Sequence, residues 1–152
     1  MRPEQFQVRQ FMLRAGQECP EKPTMPRLDV RMLRAQLIAE ELLELAEAFG
    51  VTLEIKHGEI SVAPNRKILS ITNAYDATLD LMVVVIGTGV AMGVDLEPGW
   101  EEVHRSNMSK FIDGHKHGDG KWIKGPSYSP ANLGPILEAQ INPPPLPTLE
   151  GV

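Results

Sequence analysis

The chain has a single cysteine, Cys19, among its 152 residues, so no internal disulfide braces it and its chemistry suits a reducing compartment. It also lacks basic surplus. With a formal charge of −5 it has no broad cationic surface to release counterions from a phosphate backbone, which argues against a general binder of nucleic-acid polymers. The opening residues Met1-Arg2-Pro3-Glu4-Gln5 have no apolar core of the signal-peptide kind. The longest apolar stretch, Leu81 to Val94, falls short of the roughly 20 residues of a membrane span. No internal repeat is present. These absences lead to the expectation of a soluble, cytoplasmic chain with one core and no membrane partner.

What is present reads mostly as helix. Phe6, Val8, Phe11, Met12 and Ala15 fall near helical spacing over Glu4 to Ala15, with Gly16 as a stop. A proline-bearing connector from Cys19 to Pro26 precedes a second helix, for which Asp29 is a candidate cap. Its apolar stripe is Val30, Leu33, Leu37, Ile38, Leu42, Leu45 and Phe49, and Gly50 ends it. The period then changes: residues 52–56 and 59–62 alternate polar and apolar around His57-Gly58, the pattern of a two-residue β-hairpin. A third helix is expected from Asn73 to about Val94 and a fourth from Pro98 to Lys110. A short one follows from Pro130 to Ala139. Gly87, Gly89 and Gly93 each lower helix stability by about 1 kcal/mol relative to alanine, which is tolerable where neighbouring helices approach closely. The expected organisation is one domain over residues 1–140 with the hairpin inserted at about 51–63. Residues 141–152 form a proline-rich flexible tail.

The chemistry lies in two acidic stripes. On a helix, Glu40, Glu41 and Glu44 share one face, and Asp76 and Asp80 sit four apart ahead of the apolar run. Like charges at this spacing repel by a few tenths of a kcal/mol per pair, and the Glu40–Glu44 run holds no lysine or arginine to relieve it. Facing stripes of this kind call for hard divalent cations with oxygen ligands, which commonly arrive with phosphates. A solvated acidic face is the plain alternative for the glutamates alone; the second pair, in an otherwise apolar helix, favours a metal site. His115, His117 and Asp119 also invite a transition-metal reading, but one glycine-rich loop supplies too few ligands.

The Glu-Glu-x-x-Glu helix and second acidic helix resemble the MazG-like all-α nucleoside triphosphate pyrophosphohydrolases. That superfamily includes the dimeric dUTPases and phosphoribosyl-ATP pyrophosphohydrolase. The likeness extends through Val103–Lys110, with its Asn-x-x-Lys, and through Asp119-Gly120-Lys121, Lys124 and Tyr128–Ala131. It covers most of the chain, from about Phe6 to Leu137. One departure stands out: the superfamily's second motif is Glu-x-x-Asp, and if Asp80 is its aspartate, Ala77 takes the place of the glutamate, with Asp76 one residue earlier. The inserted hairpin looks most like the phage type that hydrolyses dGTP and GTP, whose setting would be the host cytoplasm.

The resemblance implies an all-α bundle of four to five helices with a small hairpin, and hydrolysis between the α- and β-phosphates to a monophosphate and pyrophosphate. It further implies about two or three Mg²⁺ or Mn²⁺ ions held by Glu41, Glu44, Asp80 and Asp76. Glu40 is either a further ligand or the group that deprotonates water, and which of Glu40 and Glu41 activates the water stays open. Asn107, Lys110, Lys121 and Lys124 are candidate sugar and phosphate contacts. Phe11, Arg14 and Trp122 are candidates for the base. A homodimer or homotetramer is expected, because hairpin and glycine-bearing helix both need more burial than one chain offers. A dUTP- or dUDP-type hydrolase and a non-catalytic helical interaction protein are the competing functions.

Overall fold

The computed structural model describes residues 1–118 and 120–144. At its centre two 21-residue helices, α2 (Leu28–Ala48) and α3 (Ile71–Ala91), form the most extensive helix contact. Glu41 is electrostatically coupled to Asp80, Gly87 abuts Arg34, and Val30 and Ala91 line one cleft. Numbers rise along one helix as they fall along the other, so the pair is antiparallel. Helix α1 (Pro3–Arg14) lies across the C-terminal half of α3, where Val8 and Met12 pack on Val90 and Ala91. The close approach expected at Gly87 is there: a Cβ would sit 2.6 Å from Arg34 Nη1 and 3.3 Å from Met12 Sδ.

Helix α4 (Leu96–Ser109) is capped by Asp95, whose carboxylate accepts from the Glu97 N–H at 3.1 Å. A buried glutamine holds the turn before it: Gln5 Nε2 donates to the Val94 carbonyl at 2.6 Å, and its Oε1 accepts from Leu96 N–H at 3.0 Å. Gln140 of α5 (Gly134–Ile141) makes a matching pair of bonds with the Asp95 backbone. All five helices and the expected hairpin are present, which bears out the all-α MazG-like class.

Several boundaries differ, for local reasons. Asp29 lies inside the first turn of α2 rather than capping it; its carboxylate instead pairs with Arg27 at 2.8 Å. Helix α3 begins two residues early because Ser70 is its cap, accepting from Asn73 N–H at 3.3 Å. It also stops sooner, since Gly93 adopts a left-handed φ of 67° against the Lys22 carbonyl, which leaves it outside the helix. The longer start gives α3 a mean hydropathy of 1.4, enough by length and composition to cross a membrane, where the run from Leu81 alone fell short.

The hairpin pairs β1 (Val51–Lys56) with β2 (Glu59–Pro64), Ile55 opposite Ile60, around a turn in which His57 and Gly58 both have positive φ. It touches α2 through β1, yet Ile55, Ile60 and Val62 face solvent. The α2 stripe is likewise only half covered, with Phe49 59 % exposed. A further pairing of β3 (His115–Lys116) with β4 (Trp122–Ile123) closes the basic loop, where only irregular chain was expected. Of the proline-rich tail, residues 145–152 lie outside the described residues, as does Asp119.

Candidate active site

At the end of the α2–α3 pair away from α1, the two helices border a groove of about 350 Å³. Glu44 and Glu47 descend from α2, Asp76 and Asp80 from α3, and Lys67, Ser70 and Asn73 come from the connector and first turn of α3. Helical spacing explains the convergence: positions 44 and 47 are three apart and 76 and 80 four apart, so each pair shares a face. Glu41 completes the set one turn further in. Its carboxyl is held above the ordinary glutamate range, first by partial burial and then by the charges of Glu44, Asp80 and Glu40. That coupling brings together four of the five carboxylates expected from sequence, and the groove lining supplies the fifth, Asp76.

Glu40 stands at the margin, exposed, with Gln36 Nε2 donating to its carboxylate at 2.9 Å. Ala77, which takes the place of the superfamily's glutamate if Asp80 is the motif's aspartate, is buried in the seam and also lines the groove. Among the described residues no three His, Cys, Asp or Glu side chains already stand in a metal-binding cluster. The donor chemistry nevertheless fits a hard divalent ion. The acidic groups from both helices offer hard carboxylate oxygens, and burial together with the charges of its neighbours disfavours ionisation of Glu41.

The other expected contacts gather elsewhere. Lys110 Nζ donates to Asn107 Oδ1 at 2.7 Å, and Lys124 Nζ sits 4.1 Å from the Tyr128 ring centroid. Within α4 Arg105 and Glu102 form a bidentate pair, both bonds 2.7 Å. This pair ties the later segment to the helix: Arg105 donates to the Pro130 carbonyl at 3.1 Å and Glu102 accepts from the Asn132 N–H at 2.8 Å. The guanidinium and the Asn132 N–H hold the Glu102 carboxyl down at about 2. Lys121 follows the β3–β4 loop, where the His117 N–H donates to its carbonyl at 2.7 Å. Trp122, considered for base contact, donates its indole N–H to the Lys110 carbonyl at 2.6 Å and packs on Phe111. Phe11 and Arg14 lie on α1, at the packed end of α3; one chain does not bring them to the groove.

Sequence reasoning missed two features. Lys67 pairs with Glu47 at the groove, and the only hint was a basic dipeptide, Arg66-Lys67, between two acidic helices. Arg34 is 7 % exposed and bonds to Gln17 Oε1 at 3.3 Å and to Met12 Sδ rather than to a carboxylate.

The fold and site are those of an all-α antiparallel helix pair with an acidic mouth. The family model described as phosphoribosyl-ATP pyrophosphohydrolase (PRA-PH) matches residues 7–107, about two thirds of the chain. The chain belongs to this family, a branch of the MazG-like superfamily, and is a pyrophosphohydrolase acting on a nucleotide. The match spans all five carboxylates and Asn107 but ends before Lys110. No curated protein matches the chain.

Proposed function

We propose that the chain hydrolyses a purine nucleoside triphosphate, dGTP or GTP best, between the α- and β-phosphates, releasing the monophosphate and pyrophosphate. The observation that carries the chemistry is the acidic groove lined by Glu44, Asp76 and Asp80, beside which Glu41 is raised by burial and by the charges of Glu44, Asp80 and Glu40. Glu41, Glu44, Asp76 and Asp80 would hold divalent ions, Mg²⁺ or Mn²⁺. Bound there, such ions neutralise charge on the phosphates and lower the pKa of water. In this reading Glu40, whose carboxylate accepts from Gln36, takes the proton of the attacking water or else joins the ligands. Asn107, Lys110, Lys121 and Lys124 form a separate polar and basic surface suited to a nucleotide's sugar and phosphates. The guanine preference rests on the sequence resemblance, including the hairpin insertion. The family's description names phosphoribosyl-ATP, which offers the same bond, and dUTP is the other competitor.

The working form is a homodimer or a dimer of dimers. The chain exposes 11594 Å², where a compact protein of 16.8 kDa exposes about 7,600 Å². Only 28 % of the most apolar window of α3 is buried, and Trp100 beside it is 62 % exposed. Two aspartates on α3 make a second copy a better cover than lipid, since a charge at mid-membrane costs about 2.5–3.5 kcal/mol or more. The setting proposed is the cytoplasm, with no membrane or nucleic-acid polymer as partner.

The test is a panel of dGTP, GTP, dATP, dCTP, dUTP and phosphoribosyl-ATP with Mg²⁺ or Mn²⁺, products separated by chromatography. Fastest accumulation of dGMP supports the assignment. A clear preference for dUTP or phosphoribosyl-ATP replaces the substrate and leaves the groove chemistry standing.

A further inference from the structure

We propose that Lys67 binds the terminal phosphates of the substrate and the pyrophosphate that leaves, and that Glu47 parks its ammonium while the groove is empty. The inference rests on the pyrophosphohydrolase reading and adds a residue to it from a segment outside both acidic helices.

Charge balance is the first argument. The groove gathers Glu44, Glu47, Asp76 and Asp80, and Lys67 is the cation among its described lining residues. Divalent ions answer the carboxylates, but the pyrophosphate also leaves with one more negative charge, formed on the bridging oxygen released from the attacked phosphorus and shared over its phosphate groups. An ammonium at the groove wall supplies a mobile point charge there, which suits a group that must bind and then release.

Placement is the second argument. The connector is anchored on both sides of the lysine while the side chain is left long and movable. Upstream, Asn65 N–H donates to the Gly50 carbonyl at 2.8 Å, and Asn65 Oδ1 accepts from Lys67 N–H at 3.0 Å. Leu69 packs against Gly50. Downstream, Ser70 caps α3 three residues after the lysine. The backbone of Lys67 is therefore fixed relative to α2 and α3, the two helices that carry the carboxylates.

The third argument is the ion pair itself. Lys67 and Glu47 are both more than half exposed, so their pair is of the weak, exchangeable surface kind. A multiply charged phosphate displaces Glu47 readily. Lys110 and Lys124, by contrast, are engaged with Asn107 and Tyr128 in the cluster at the end of α4.

The experiment compares wild type, Lys67→Met, Lys67→Arg and Glu47→Gln with the best nucleotide of the panel. It reads KM, kcat and product inhibition by pyrophosphate and by the monophosphate, all with Mg²⁺. Loss of a charge-assisted contact should raise KM and the pyrophosphate inhibition constant about 10- to 100-fold in Lys67→Met. Monophosphate inhibition should be unchanged, and Lys67→Arg should recover most of the loss. Glu47→Gln should tighten pyrophosphate about twofold by freeing the lysine. An active wild type beside a folded Lys67→Met with unaltered pyrophosphate inhibition overturns the inference alone. A wild type that hydrolyses no nucleotide, and shows no heat of binding with magnesium pyrophosphate, overturns the underlying reading with it.

Discussion

The two ends of the α2–α3 pair are made from the same two helices and behave as opposites. At one end Val30, Arg34, Gly87 and Ala91 meet under α1, and even a guanidinium is taken out of water. At the other, about 16 Å further along by helical rise, Glu44, Asp76 and Asp80 line an open groove with Glu41 beside them. What differs is the cover. Helix α1 brings Val8 and Met12 to the packed end, whereas a polar connector with one lysine borders the open end. Packing at one end holds the helices in register, so the other can keep repelling carboxylates side by side. Stability and chemistry are divided along one seam.

The division is broken most severely at the open end. Glu41→Gln, Glu44→Gln and Asp80→Asn should each lower kcat/KM by about 100-fold or more, since outer-shell partners of metal ligands alone are worth 10–100-fold. The metal-free proteins should remain folded and gain a few tenths of a kcal/mol for each repulsion relieved. Denaturant melts beside steady-state rates check both halves.

At the packed end the expected effect is on folding and not on chemistry. Gly93→Ala forces a side chain into a left-handed φ and against the Lys22 carbonyl, a loss of about 2–4 kcal/mol from backbone strain plus overpacking. The urea midpoint should fall while kcat of the folded fraction holds. A variant as stable as wild type would show that this end does not set the register.

A smaller effect separates metal uptake from turnover. If, as proposed, Asp76 stands in for the glutamate that Ala77 replaces, Asp76→Ala should raise the Mg²⁺ concentration needed for half-maximal rate several-fold with little loss of rate at saturation. Equal loss at all metal concentrations would make Asp76 indispensable in its own right.

The smallest effect is a pH dependence of opposite sign in two places. Glu41 has a folded pKa above its unfolded one, so the metal-free protein loses stability as pH rises through the unfolded value of about 4.5 and past the folded one. Glu102, held at about 2, contributes stability that is present above about 4.5 and lost as pH falls towards 2. Thermal midpoints of the metal-free protein between pH 3 and 7 should show both flanks, and Glu41→Gln should flatten only the upper one.

Much of this was legible in the residues. Helical spacing located all five helices to within a few positions, and His57-Gly58 marked the hairpin turn. The acidic stripes were readable because repelling charges at one spacing are costly without a purpose. Side chains whose role is tertiary were not readable. Gln5 and Arg34 look like solvent-facing helix residues until the helices pack, when each is buried with a specific partner. Lys67 lies in irregular chain, where no period announces which way a side chain goes. Trp122 looked free for a base, yet its N–H is committed to the Lys110 carbonyl. The half-covered α2 stripe shows that an apolar period identifies what must be buried without saying which chain buries it.

Cleavage of the α–β phosphoanhydride is proposed for the open, acidic end of α2–α3. Product analysis of wild type and Asp80→Asn under saturating Mg²⁺ tests it most directly. Wild type should yield monophosphate and intact pyrophosphate, and both should be lost from an Asp80→Asn protein that melts at or above the wild-type temperature without metal. Orthophosphate as the primary product, or Asp80→Asn turning over like wild type, would contradict it.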